Sequence, residues 1–160
     1  MSNTVPNGFF EFEQDFVGSL RCIPMVVRHH LDTCGVKLKL EHWNHFSQAE
    51  RQRLVDWPCD TPGNAQIYRE KLQQMITAKT GSPAKTLEVQ SAPPWQQLAT
   101  IPKGVVDKFA AEQVPLTPEQ WSGLSELQRF ALVKLSRPSH ENRNFMPAVK
   151  EFGLAPGILL

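Results

Sequence analysis

The sequence predicts an all-α fold, a small helical domain of two tandem pseudo-equivalent multi-helix repeats, on three observations. Helix-start signatures recur along the 160 residues: Ser47-Gln48-Ala49-Glu50, Thr61-Pro62, Thr117-Pro118-Glu119 and Ser125-Glu126-Leu127-Gln128. Each puts a hydroxyl where it accepts from the orphan N–H groups of a first turn, with Pro, Glu or Gln at positions such a turn favours. Only Val36 to Leu40 alternates between apolar and polar residues over five positions, too short a run to found a sheet. Sliding the chain along itself by 78 positions gives a gapless match of residues 23–57 with 101–135, with 11 identities in 35 positions.

The first helix is expected from Pro24, whose missing N–H costs nothing in a first turn, to Thr33 or Cys34. Gly35 then supplies a left-handed cap. After an extended link, 36–40, comes a short helix carrying Trp43 and ending near residue 46. Lys39-Leu40-Glu41 gives it no side-chain cap. The Ser47 capping box opens a longer helix to about Trp57. Thr61-Pro62 opens another, whose stripe Ile67, Tyr68, Leu72, Met75, Ile76 has helical spacing and which Thr80-Gly81 stops. Residues 82–94 are proline-rich and aperiodic, a surface connection in which only Leu87-Glu88-Val89 suggests an extended piece. The second copy repeats the order: a helix from Pro102, a link from Val114 to Thr117, a short helix with Trp121, and a long one from Ser125 to about Ser136. A last helix, about Phe145 to Phe152, ends at Gly153.

One domain is expected of this length. Repeat one covers about 16–81, the connection 82–94 and repeat two about 95–154, with an apolar tail 155–160. Each copy is too small to close a core alone. Positions shared by both copies belong to packing: the Ile23-Pro24 and Ile101-Pro102 pairs, Trp43 and Trp121, Leu54 and Leu132. The matched Arg51 and Arg129 tie down helix ends or a carboxylate through their planar forks. The helix after Ser125 is apolar nearly all round, the mark of burial on every side or of a partner face.

Composition excludes several functions. Lys and Arg number 17 against 16 Asp and Glu, a net charge of +1, without the cation surplus that phosphate backbones demand. No nucleic-acid partner is expected. No apolar stretch approaches the ~18 residues that cross a bilayer, so no membrane is expected either. Three cysteines, Cys22, Cys34 and Cys59, and no signal peptide place the chain in a reducing cytoplasm with free thiols. There is no glycine-rich phosphate loop, G-x-S-x-G, H-E-x-x-H or C-x-x-C. No catalytic set, metal or cofactor is expected; His42 and His45 stand three apart but lack a third ligand. Spacing does not exclude Cys34 or Cys59 as a nucleophile or cofactor carrier.

The densest polar stretch runs from Ser136 to Asn144. Arg137 and Arg143 offer forked donors, Asn142 and Asn144 amides of both polarities, with His140 and Glu141 between them. Such a set reads carboxylates or backbone on a partner. The other reading is a capped helix start, Ser139 as N-cap and the rest solvated. Arg21 and Cys34 are further candidates for a partner contact, and the tail Gly157 to Leu160 docks on a partner or folds back on its own core.

Three strings carry a family resemblance: Phe16 to Met25 (FVGSLRCIPM), Leu31 to Leu38 (LDTCGVKL) and Arg129 to Pro138 (RFALVKLSRP), followed by His140-Glu141-Asn142 and closed by Glu151-Phe152-Gly153-Leu154. They resemble the cyanobacterial nitrate reductase-associated protein family, over residues 9–154. The resemblance implies an accessory protein needed for active assimilatory nitrate reductase. That reductase is a molybdopterin enzyme with an iron–sulfur cluster, reduced by ferredoxin. It further implies a maturation chaperone that binds nascent or apo reductase and helps it receive or retain cofactor. A permanent small subunit that shapes the electron-donor site, and a cofactor carrier using a cysteine, remain as alternatives.

Overall fold

A computed structural model describes residues 4–5, 9–14, 20–138 and 143–154, which fall into two compact units, Thr4–Gln90 and the chain from Ser91 onward. The described residues are mostly helical, with almost no strand. No helix among them is long and apolar enough to cross a membrane.

The first unit opens on a hairpin of two-residue strands, β1 (Thr4–Val5) and β2 (Phe9–Phe10), paired Thr4 to Phe10 and Val5 to Phe9. A 3-10 turn, Glu11–Glu13, follows. Helices α1 (Met25–Cys34), α2 (Leu40–Asn44), α3 (Gln48–Asp56) and α4 (Pro62–Thr80) complete it. Their ends have local causes. Gly35 takes φ 80° and donates to Leu31 O at 2.9 Å, closing α1 with a left-handed residue. Ser47 Oγ accepts from Glu50 N at 3.1 Å while Glu50 Oε1 accepts from Ser47 N at 2.8 Å. Thr61 caps α4 through Asn64 N, and Gly81, φ 92°, ends it. Helix α1 packs on α3 and α4, burying Val27, Leu31, Trp43, Leu54, Tyr68, Leu72 and Ile76 in one apolar cluster.

Residues 84–89 cross the end of α1. Lys37 N donates to Lys85 O at 2.8 Å and Leu87 N to Gly35 O at 2.7 Å, and Val36 and Thr86 form an antiparallel bridge. Gln73 on α4 anchors the crossing by accepting from Ala84 N and donating to Ala84 O.

The second unit has a 3-10 turn, Pro94–Gln96, then α5 (Lys103–Ala111), α6 (Pro118–Ser122), α7 (Glu126–Leu135) and α8 (Phe145–Glu151). Helix α7 packs against that turn, α5 and α8. Every residue from Gln128 to Val133 is buried, and Leu135 with them, as its apolar circumference requires. Trp95 meets Phe130 edge to face at 4.9 Å, and Phe109 meets Phe145 at 5.0 Å.

Three expectations need correction. Pro24 and Pro102 are N-caps, one position ahead of the first helical residue, because each carbonyl takes up the first intrahelical bond, from Arg28 N and Val106 N. Ile23 and Ile101 are half-buried, whereas Trp43 and Trp121 are fully enclosed. The hairpin β1–β2 lies where no strand was expected, since two-residue strands leave no alternation to read.

Candidate functional site

The two matched arginines are internal fasteners. Arg51 Nε donates to Trp43 O at 3.1 Å and its Nη1 to Leu20 O at 3.0 Å. In the second unit Arg129 is buried; its Nε donates to Trp95 O at 2.7 Å and its Nη1 to Leu124 O. Both forks gather main-chain carbonyls at loop junctions, not a carboxylate. Burial lowers the Arg129 pKa, with Glu126 opposing, and the residue remains a cation.

Glu13 does similar work from an unforeseen place. Its side chain is 1% exposed; Oε1 accepts from Phe10 N at 3.1 Å and Oε2 from Met25 N at 2.8 Å. Met25 is the first residue of α1, whose N-cap is a proline without a capping side chain. A carboxyl from 12 residues upstream therefore caps that helix at the positive end of its dipole.

A second cluster forms where α1, α3 and α4 meet. Leu54, near the end of α3, has Pro58 four residues on, so no N–H exists to complete its carbonyl's helical bond. Tyr68 of α4 supplies the proton instead, its hydroxyl donating to Leu54 O at 2.6 Å. His30 Nδ1 lies 3.3 Å from the same oxygen. With a carbonyl as partner, Nδ1 carries the proton and the ring is neutral. Burial, opposed by that hydrogen bond, lowers the His30 pKa from 6.5 to about 4. The His30 and Tyr68 rings meet edge to face at 5.0 Å.

Both buried cysteines adjoin this group. Cys34 Sγ is 3.9 Å from Leu31 O, and Cys59 Sγ is 3.6 Å from His30 O, the carbonyls of neighbouring residues on α1. The two thiols influence one another: the neighbouring Cys59 thiol favours the Cys34 thiolate and lowers its pKa, while Cys59 is pushed up. Burial raises the Tyr68 hydroxyl as well.

The residues expected at a partner contact are dispersed. Arg137 is exposed just beyond α7, its N–H bonded to Lys134 O at 3.3 Å. Arg143 is exposed just ahead of α8, and Asn144, half-buried, is that helix's N-cap without a side-chain cap bond. The packing of α7 on α8 brackets their connection. His140, Glu141 and Asn142 lie outside the described residues, as do Ser139 and the tail 155–160. Arg21 is exposed in the first unit, four residues ahead of α1. Cys34 is only 4% exposed, enclosed by its helix end and the α3–α4 junction. It is therefore withheld from an outer contact surface, which corrects its place among the contact candidates.

Chemically, the Arg137–Asn144 connection can bind and orient. Neither Arg137 nor Arg143 engages its guanidinium in a hydrogen bond or ion pair among the described residues. Each remains available to a carboxylate or carbonyl of a partner. No three His, Cys, Asp or Glu side chains converge as metal ligands among the described residues. Sequence reasoning missed Glu13, the shared Leu54 carbonyl and the thiol pair. Only the second had a local signal, a leucine four residues before a proline at a helix end.

No curated protein and no solved structure matches the chain. A sequence profile matches residues 9–152, through both units and the connection between α7 and α8, and on that match the chain belongs to the conserved nitrate reductase-associated protein family.

Proposed function

We propose that the chain is an accessory protein of assimilatory nitrate reductase, a molybdenum enzyme. It binds the reductase in the cytoplasm and assists its maturation or cofactor loading, and is not itself an enzyme. Membership of a nitrate reductase-associated family over residues 9–152 carries this reading. The exposed guanidinium groups at both ends of the α7–α8 connection support it, because a protein partner offers them carboxylates and carbonyls. The contact comprises Arg137, His140, Glu141, Asn142, Arg143 and Asn144, with Arg21 of the other unit as a further candidate.

We further infer that the two units are copies of one module. Trp43 Nε1 donates to Leu20 O and Trp121 Nε1 to Gln97 O, both at 2.8 Å. Val36 N bonds Leu31 O and Val114 N bonds Phe109 O, 78 positions apart. Ser47 with Glu50, and Ser125 with Gln128, form matching capping boxes. What the copies share serves packing and helix capping, so recognition falls to what differs. The α3–α4 link carries Asp60 and Thr61, whereas the α7–α8 link carries Arg137 and Arg143.

Co-purification of reductase with the Arg137→Ala, Arg143→Ala double variant tests the contact. Losing two charge-assisted contacts of roughly 1.5–3 kcal/mol each should weaken capture at least tenfold with the melting midpoint unchanged. Undiminished capture and undiminished reductase activity would remove this connection from the interface.

A further inference from the structure

We propose that Cys34 and Cys59 are a modification site, a thiol pair that closes reversibly to a disulfide when the protein meets hydrogen peroxide or a related small hydroperoxide. The geometry is already assembled. Cys34 ends α1 and Cys59 stands two residues before the Thr61 cap of α4, yet both sulfurs converge on adjacent carbonyls of α1, Leu31 O at 3.9 Å and His30 O at 3.6 Å. The two thiols are close enough to shift one another's ionisation in opposite directions. Closure to a bond of about 2.05 Å then joins two sulfurs that already face adjacent carbonyls of one helix.

The surroundings assign the two sulfurs different roles. Cys34 faces the Cys59 S–H and the Val36 N–H, and the Arg69 cation acts on it from a distance; all three favour its thiolate. Ionisation of Cys59 is opposed first by its neighbour Cys34, then by burial, with the Asp60 carboxylate adding to both. Cys34 is thus the attacking sulfur and Cys59 the resolving one. The Cys34 thiolate attacks one peroxide oxygen, the O–O bond breaks, and the departing hydroxide takes up a proton as water. The Cys59 sulfur then attacks the Cys34 sulfenic acid, the S–O bond breaks, and the hydroxyl leaves as a second water with the Cys59 proton. Two thiols have lost two electrons and one peroxide has been reduced to two waters. Both sulfurs are enclosed, at 4% and 6% exposure. That admits a small peroxide during local opening and excludes a bulky protein oxidant. Cys22, by contrast, is exposed.

The test treats the full chain and its Cys22→Ser variant with hydrogen peroxide, then blocks free thiols under denaturing conditions and digests without reductant. The expected result in both chains is a peptide pair joined through Cys34 and Cys59, lighter by two hydrogens and separated by dithiothreitol. In Cys59→Ser the Cys34 sulfenic acid has no resolving partner and should be trapped by dimedone. Recovery of Cys34 and Cys59 as fully blockable thiols, at peroxide levels that oxidise Cys22 in the unmodified chain, would overturn the proposal. So would a disulfide formed through Cys22 in their place. Neither readout depends on reductase binding.

Discussion

His30 and Glu13 show how single polar groups hold the first unit together. His30 is kept neutral by burial, its pKa depressed from 6.5 to about 4. Between those values the unfolded chain binds a proton that the folded chain refuses, so this contribution to stability is complete above pH 6.5 and is lost as pH falls toward 4. The loss is about 3 kcal/mol across that window. His30→Asn keeps a donor for Leu54 O without a titrating ring, and its melting midpoint should fall less steeply with acid than the unmodified chain's. Parallel pH profiles would assign the acid sensitivity elsewhere. For Glu13, replacement by Ala leaves Phe10 N and Met25 N without their acceptor and should cost about 2–4 kcal/mol. Glu13→Gln retains one acceptor oxygen and should cost about half as much. Urea unfolding at unchanged m-value reads both, and a loss below 1 kcal/mol or so for Glu13→Ala would place α1's cap elsewhere.

At the scale of elements, the ends of α1 and α5 make a matched experiment. Gly35 at φ 80° and Gln113 at φ 59° both turn the chain with a left-handed residue. An added Cβ at Gly35 would sit 2.8 Å from Leu87 O and 2.9 Å from Val89 Cγ2. Gly35→Ala should therefore cost about 2–3 kcal/mol from backbone strain and crowding together. Gln113→Gly should instead stabilise by about 0.5–1 kcal/mol. Melting curves of the two variants should shift in opposite directions; shifts of the same sign would contradict this account of the turns. Helix boundaries were legible wherever a local signal sets them. Ser47, Thr61, Thr117 and Ser125 each cap the helix they announce. What stayed hidden depends on residues distant in sequence, for which periodicity carries no information. Glu13 capping α1, residues 84–89 crossing over Gly35, and Cys34 meeting Cys59 are all of this kind. Of the expected contact residues, Arg137 and Arg143 are exposed, whereas Cys34 is buried by packing against elements distant in sequence.

Across both units the arginines divide into internal fasteners and exposed donors. The arginines that match between the units fasten carbonyls, while those that do not match, Arg137 and Arg143, face outward. A chain of net charge +1 lacks the field to steer a partner over long distances, so recognition rests on short-range, geometrically specific contacts. The direct measurement of the proposed role is quantitative capture of purified apo and cofactor-loaded nitrate reductase by the immobilised chain at physiological salt. The apo enzyme should be retained at least tenfold better than the loaded one, a bias of about 1.4 kcal/mol or more, and be released when cofactor is supplied. Equal retention of both forms would make the chain a standing subunit of the mature enzyme, and retention of neither would contradict an accessory role on the reductase itself.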